Sequence, residues 1–235
     1  MTPRVVWSSE RSFHVVLAQD DGDDAGERIT RAAEALRSAA LEEVIDLTPA
    51  STTIAILLDP LARNPDEIAA QALEIVGKCG ERTQVMQPKR IVTIPVCYDA
   101  DLAPDLDAVA ARAGLSIEAT VSMHTSVLYT VRFLGFSPGF AYIAGLPKAL
   151  HGPRLASPRP RVRAGSVGIA GTRTCIYPQS TPGGWRLIGA TPVHIFDTNR
   201  TPVSLLQAGD QVRFLAIHRG EFESISRSSN SSARD

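Results

Sequence analysis

From residue 128 the chain reads Leu128-Tyr129-Thr130-Val131-Arg132-Phe133-Leu134-Gly135-Phe136-Ser137-Pro138-Gly139-Phe140-Ala141-Tyr142-Ile143-Ala144-Gly145-Leu146-Pro147. Two short runs of β-branched and aromatic residues flank a joint of Gly, Ser and Pro. The same rhythm returns as GSVGIAG (165–171), CIYP (175–178), TPGGWRLIG (181–189), PVHIFD (192–197) and QVRFLAI (211–217). Short strands broken by Gly and Pro predict a closed or rolled β architecture for the C-terminal half.

Upstream of this run the pattern changes. Residues 104–114 and 116–123 predict two short helices around a Gly114-Leu115 turn. Their spacing resembles a helix-turn-helix, but residues 99–118 hold five carboxylates and one cation, Arg112, which would repel a phosphate backbone. A packing pair of helices is the better account. Residues 1–87 read as alternating elements: strands over 13–18, 43–47 and 52–58, and helices over 25–40 and 65–77, the last opened by Asn64 and Pro65. If RIVTIPV (90–96) closes this sheet, the order is β-α-β-β-α-β, the split pattern of ferredoxin-like sandwiches. Gln87-Pro88-Lys89 is equally suited to hand that strand to the second domain. The expected organisation is a domain over 1–87, a β-barrel over 88–226, and a polar, disordered tail over 227–235.

Composition narrows the function. With 44% hydrophobic residues in 235 and a net charge of -1, the chain can bury a substantial core and is not built to coat nucleic acid. No apolar run reaches the ~18 residues of a membrane span. The N-terminal stretch MTPRVVWSSERSFH lacks a signal core, and three widely spaced cysteines make neither a disulfide framework nor a CxxC site. A cytoplasmic protein is expected. Charge is uneven: 20 of the 25 carboxylates precede residue 119, and residues 119–196 hold none against eight cations. That segment is suited to receive an anion, although drift in composition between two domains gives the same tally.

The candidate site residues follow from this segment. Gly135–Tyr142 is a turn able to present backbone N–H groups beside an apolar wall, with Phe136, Pro138, Gly139 and Phe140 at its centre. Gly165–Gly171 is neither a phosphate loop nor a nucleophile elbow, and offers Ser166 as a hydrogen-bonding group. Arg154, Arg159 and Arg161 form an extended cationic loop whose guanidinium forks suit carboxylate or phosphate. His124, between a helix and a strand, is either a functional imidazole or a structural one. No histidine has a partner at metal-ligand spacing, so no metal site is expected, and magnesium ligands would have to come from elsewhere in the chain or from another chain.

The ordered set Ile94-Pro95-Val96-Cys97-Tyr98, His124-Thr125, Gly135–Tyr142, Pro158-Arg159, Ala164–Gly171, Ile176-Tyr177-Pro178 and Pro182-Gly183-Gly184-Trp185 resembles the allophanate hydrolase subunit 1 family over residues 10–220. That family includes the B subunit of bacterial 5-oxoprolinase and a sporulation-kinase inhibitor. The resemblance implies an α+β chain, with a ferredoxin-like N-terminal domain followed by a cyclophilin-like β-barrel. It also implies partners, a subunit-2-type (C) protein and an A subunit, and an ATP-dependent opening of the 5-oxo-L-proline lactam to L-glutamate. ATP with Mg would be bound in the assembled complex and not by this chain alone, which would be inactive by itself. The resemblance marks His124 as catalytic and Phe136, Pro138, Gly139, Phe140 and Ser166 as lining a pocket for a small anionic substrate. Kinase inhibition and a role in urea or allophanate degradation are the alternatives. The sequence departs from the family pattern at Arg163, where proline is usual, at Cys175, where glycine is usual, and at Arg173, where glutamine is usual. Arg173 turns a neutral amide into an obligate cationic donor and is therefore expected in the substrate site.

Overall fold

The computed structural model describes residues 2–20, 23–79 and 90–231, which form two compact units, Met1–Pro88 and Lys89–Asp235. The first unit carries β1 (Arg4–Ser9), β2 (Ser12–Val16), α1 (Asp23–Ala39), β3 (Val44–Pro49), β4 (Thr53–Leu58) and α2 (Pro65–Lys78). Its sheet is antiparallel throughout, in the order β1-β2-β4-β3. Strand periodicity sends Phe13, Val15, Ile54, Ile56 and Leu58 to one face, where they meet Ile29, Ala32, Ala33 and Leu36 of α1 and Ile68, Ala72 and Val76 of α2. The reading in which residues 90–96 close this sheet is corrected. The position beside β2 belongs to β1, a strand absent from the sequence reading, and residues 91–96 pair in the second unit. The Gln87-Pro88-Lys89 linker falls outside the described residues.

The second unit comprises β5 (Ile91–Val96), α3 (Leu106–Ala113), α4 (Ile117–Thr125), β6 (Tyr129–Leu134), β7 (Ala141–Ala144), β8 (Arg159–Val162), β9 (Ser166–Ala170), β10 (Arg173–Ile176), β11 (Thr181–Gly183), β12 (Arg186–Ala190), β13 (Gln211–Ala216) and α5 (Arg219–Ser231). Seven strands make one sheet, β12-β9-β10-β7-β6-β13-β5. Its two edge strands meet through a bridge in which Cys97 and Ala190 exchange both backbone hydrogen bonds, at 2.8 and 2.9 Å, so the sheet is a nearly closed barrel. Gly189 permits that approach, since a Cβ there would lie 2.8 Å from Val96 Cγ1 and 2.9 Å from the Cys97 carbonyl oxygen.

Alternation divides the wall into two faces. Val131, Ile143, Val167, Ile169, Ile176, Ile188 and Phe214 fill the inside. Tyr142, Ala170, Cys175 and Leu187 point outward and build a second cluster with Phe140, Val162, Tyr177 and Trp185. A register shift in β6 between Val131 and Phe133 breaks strict alternation. Without it Phe133 would share the inward face of Val131; with it, Phe133 pairs with Tyr142 on the outer face.

The paired helices expected before the barrel are α3 and α4. Gly114 ends α3 in the left-handed conformation, and Ser116 Oγ accepts the Ala119 N–H at the start of α4. The tail expected to be disordered from 227 is helical through Ser231, because α5 starts at Arg219 and runs on. Its first turn is held by Arg219, which bonds both oxygens of Asp101 and, one turn along, Glu223. No described helix is long and apolar enough to cross a membrane.

Candidate functional site on the barrel wall

His124 lies at the C-terminal end of α4, with none of its surface exposed. Its ring stacks on Phe214 at 4.6 Å and tilts against Tyr129 at 5.5 Å. Nδ1 is 2.8 Å from the Tyr98 hydroxyl, and Nε2 is 3.4 Å from Thr174 Oγ1. Thr174 Oγ1 donates to the Gly168 carbonyl at 3.0 Å, so its lone pairs face the imidazole. One proton assignment serves every group: Tyr98 donates to Nδ1, Nε2–H donates to Thr174, and Thr174 donates to Gly168. Burial pushes the His124 pKa down from 6.5 to about 3, which keeps the ring neutral, and burial raises that of Tyr98. The sequence reading made His124 the catalytic residue. In the structure both of its ring nitrogens are engaged, by Tyr98 and by Thr174. His124 ties α4 to β10 and to the segment following β5.

The outer face carries the cations. Phe133 and Tyr142 stack at 4.5 Å, Tyr142 meets Phe140 at 5.0 Å and Trp185 at 5.9 Å, and Phe140 meets Tyr177 at 5.3 Å. Arg173 lies over the Phe133 ring at 5.4 Å and Arg154 over Trp185 at 5.7 Å. The Tyr142 phenol senses both guanidiniums, which offset part of the upward pKa shift that burial imposes on it. Two arginines therefore flank one half-buried tyrosine on an aromatic floor, an arrangement able to take a carboxylate with an apolar body.

The remaining candidates divide. Arg161 donates to Ser180 Oγ at 3.0 Å and, like Arg154, meets no carboxylate among the described residues. Arg159 is committed: its Nη2 donates to Asp105 Oδ1 at 2.8 Å. Asp105 precedes α3 and forgoes its capping role, accepting the Leu187 N–H at 2.6 Å instead. Arg159 Nη1 is buried without a hydrogen-bond partner among the described residues. Ser166 is buried where β9 begins, behind Gly165, whose positive φ and contact with the Thr191 carbonyl exclude any side chain. Gly139 is pressed onto Phe196, 2.8 Å from where its Cβ would lie, and Phe140 is in the outer core, while Phe136 and Pro138 stand at the surface. The structure thus gathers Arg154, Arg173, Phe136 and Phe140 on one outer wall and leaves His124 on the inside.

Tyr98, quoted only within the Ile94–Tyr98 motif, and Thr174 and Asp105 are interacting groups to which the sequence reading gave no role. Each meets its partner across 26 to 54 residues of chain, and no local spacing signals such a pair. Among the described residues no group of three or more His, Cys, Asp or Glu is placed to hold a metal ion.

A barrel nearly closed by a bridged seam, preceded in the chain by a separate four-stranded α/β unit, defines the class: the chain belongs to the carboxyltransferase domain family, subdomain C and D, whose pattern matches residues 3–206. Within that family it is 44% identical over 194 residues to the 5-oxoprolinase B subunit of Escherichia coli O157:H7, covering 82% of this chain and 86% of that protein. It is 48% identical over 142 residues to the 5-oxoprolinase B subunit of Bacillus subtilis (strain 168), covering 60% of this chain and 59% of the relative. Among solved structures, TTHA0988 superposes with a TM-score of 0.75 at 37% identity over 88% of this chain, which spans only 40% of TTHA0988. The Kluyveromyces lactis urea carboxylase shares the fold at a TM-score of 0.75 and 18% identity, over 96% of this chain and 22% of its own.

Proposed function

We propose that this chain is the B subunit of an ATP-dependent 5-oxoprolinase, which opens 5-oxo-L-proline to L-glutamate with a subunit-2-type (C) partner and an A subunit in the cytoplasm. The observation that carries this is the 44% identity to a protein of that name over 86% of its length. The outer wall supplies matching chemistry: Arg154 and Arg173 beside Tyr142, over Phe133 and Trp185, suit a small ring bearing a carboxylate. In this reading the second unit is a cyclophilin-like barrel. The first is a ferredoxin-like sheet in permuted form, with β1 standing where a strand after α2 would close it.

ATP, with Mg held by a partner subunit, would supply phosphorylation of the lactam oxygen, making the ring carbon a better electrophile for water. This chain's part is to bind the carboxylate and orient the ring. The test is 5-oxoproline-dependent ADP release, measured with this chain alone and with its co-produced neighbouring subunits. Release by the full set, absent from the chain alone, is the expected result. A stable assembly that releases no ADP with 5-oxoproline points to another amide substrate, and failure to assemble overturns the subunit reading in favour of a kinase regulator.

A further inference from the structure

Phe136 is an outlier twice over. It is 64% exposed, more than any other aromatic residue among the exposed large side chains, and its φ is +70°, a region that bulky residues avoid. The Ser137 N–H donates to the Gly135 carbonyl at 2.9 Å, so Phe136 sits at the centre of a γ-turn, a strained geometry for an L side chain. The turn cannot relax freely. Gly135 N–H donates to the Phe140 carbonyl and Phe140 N–H to the Ser137 carbonyl, both at 3.0 Å, while Gly139 lies flat against Phe196. Folding therefore holds an aromatic ring outward in a conformation that glycine would occupy more easily.

The surroundings say what such a ring meets. Phe136 rests edge-on against Phe140 at 5.2 Å, and Phe140 continues into Tyr142 and Trp185. Arg154 lies over Trp185, and Arg173 over Phe133, which stacks on Tyr142. A projecting aromatic anchor with guanidiniums nearby has the composition of a protein-interface hot spot. A ring that lines a small-ligand cavity is enclosed, whereas this one projects. Of Arg154, Arg159 and Arg161, Asp105 neutralises only Arg159, and the other two meet no carboxylate among the described residues, so the complementary surface is acidic.

Resting on the subunit reading above, we infer that Phe136 is the docking anchor for a partner subunit, inserting into an apolar pocket rimmed by carboxylates. The test compares Phe136→Gly with Phe136→Ala, each co-produced with the neighbouring subunits. Glycine accepts the positive φ and alanine does not, so Phe136→Gly melts about 2–4 °C above Phe136→Ala. Both lose the ring, so both weaken assembly by tenfold or more by titration calorimetry, and wild-type assembly weakens with added salt. If wild-type chain assembles and both variants assemble equally tightly, the docking role is overturned while the subunit reading stands. Normal assembly with a raised KM for 5-oxoproline also overturns it and gives Phe136 to the substrate. If the wild-type chain assembles with neither subunit, both readings fall together.

Discussion

The two faces of the barrel wall are built from the same strands and differ by one residue of register. Inward, aliphatic side chains surround a single neutral imidazole whose every polar contact is satisfied. Outward, aromatic rings support guanidiniums that keep access to water. Strand periodicity forces the separation: in β10, Thr174 faces in to His124 while its neighbours Arg173 and Cys175 face out. What the difference teaches is that position along the sequence does not identify a functional group. His124 is buried with both ring nitrogens bonded, whereas Arg173, one residue from Thr174, faces outward over the Phe133 ring.

Removing the inner imidazole tests that contrast most severely. His124→Ala leaves a cavity and deprives Tyr98 of its acceptor, which is expected to cost about 3 kcal/mol by urea denaturation. Turnover of the assembled enzyme should fall only with the folded fraction; a selective loss of turnover from a fully stable protein would return His124 to the chemistry. Acid sharpens the same point. The unfolded imidazole takes a proton near 6.5 and the folded one only near 3, so its contribution is present above 6.5 and is lost as pH falls through that window. The wild type should lose about 1.4 kcal/mol per pH unit more than His124→Ala between those limits. Equal slopes would mean that the ring is reached by water.

An intermediate effect is expected where the wall meets α3. Asp105→Ala strands the Leu187 N–H and removes the carboxylate from the partly buried Arg159, at about 2 kcal/mol. A Tm within error of wild type would show that water replaces both contacts. The smallest effect on stability lies on the outer wall. Arg173→Gln should change the melting curve by less than about 0.5 kcal/mol while shifting the KM for 5-oxoproline in the assembled enzyme. Unchanged kinetics would remove Arg173 from the site.

The barrel was legible because its strands carry β-branched and aromatic residues between Gly and Pro joints. Helices α1 to α4 were legible through their periodicity, and α3 and α4 also through the Gly114-Leu115 turn, whereas α5 was not. Arg4–Ser9 was missed because five of its six residues are exposed at a sheet edge, where no buried face imposes alternation. The strand at 91–96 fitted either sheet, since RIVTIPV shows propensity but not partner, and the choice is made by pairing with β13 more than a hundred residues away. In the site, the Gly135–Tyr142 turn and the arginine loop could be picked out from composition. The direction each side chain takes could not, because the shift at Arg132 that turns Phe133 outward has no local signature. Nor could the capture of Arg159, since Asp105 comes from outside the carboxylate-free segment.

The seam between Cys97 and Ala190 joins the two edge strands through two hydrogen bonds, whereas the neighbouring strand pairs run through whole ladders. In mechanical terms the barrel is a hoop fastened at one point. Under load it would part there first, into an open curved sheet with its ladders intact. At Gly189, beside the fastening, an added methyl group would press on Val96 and the Cys97 carbonyl and force the two edges apart.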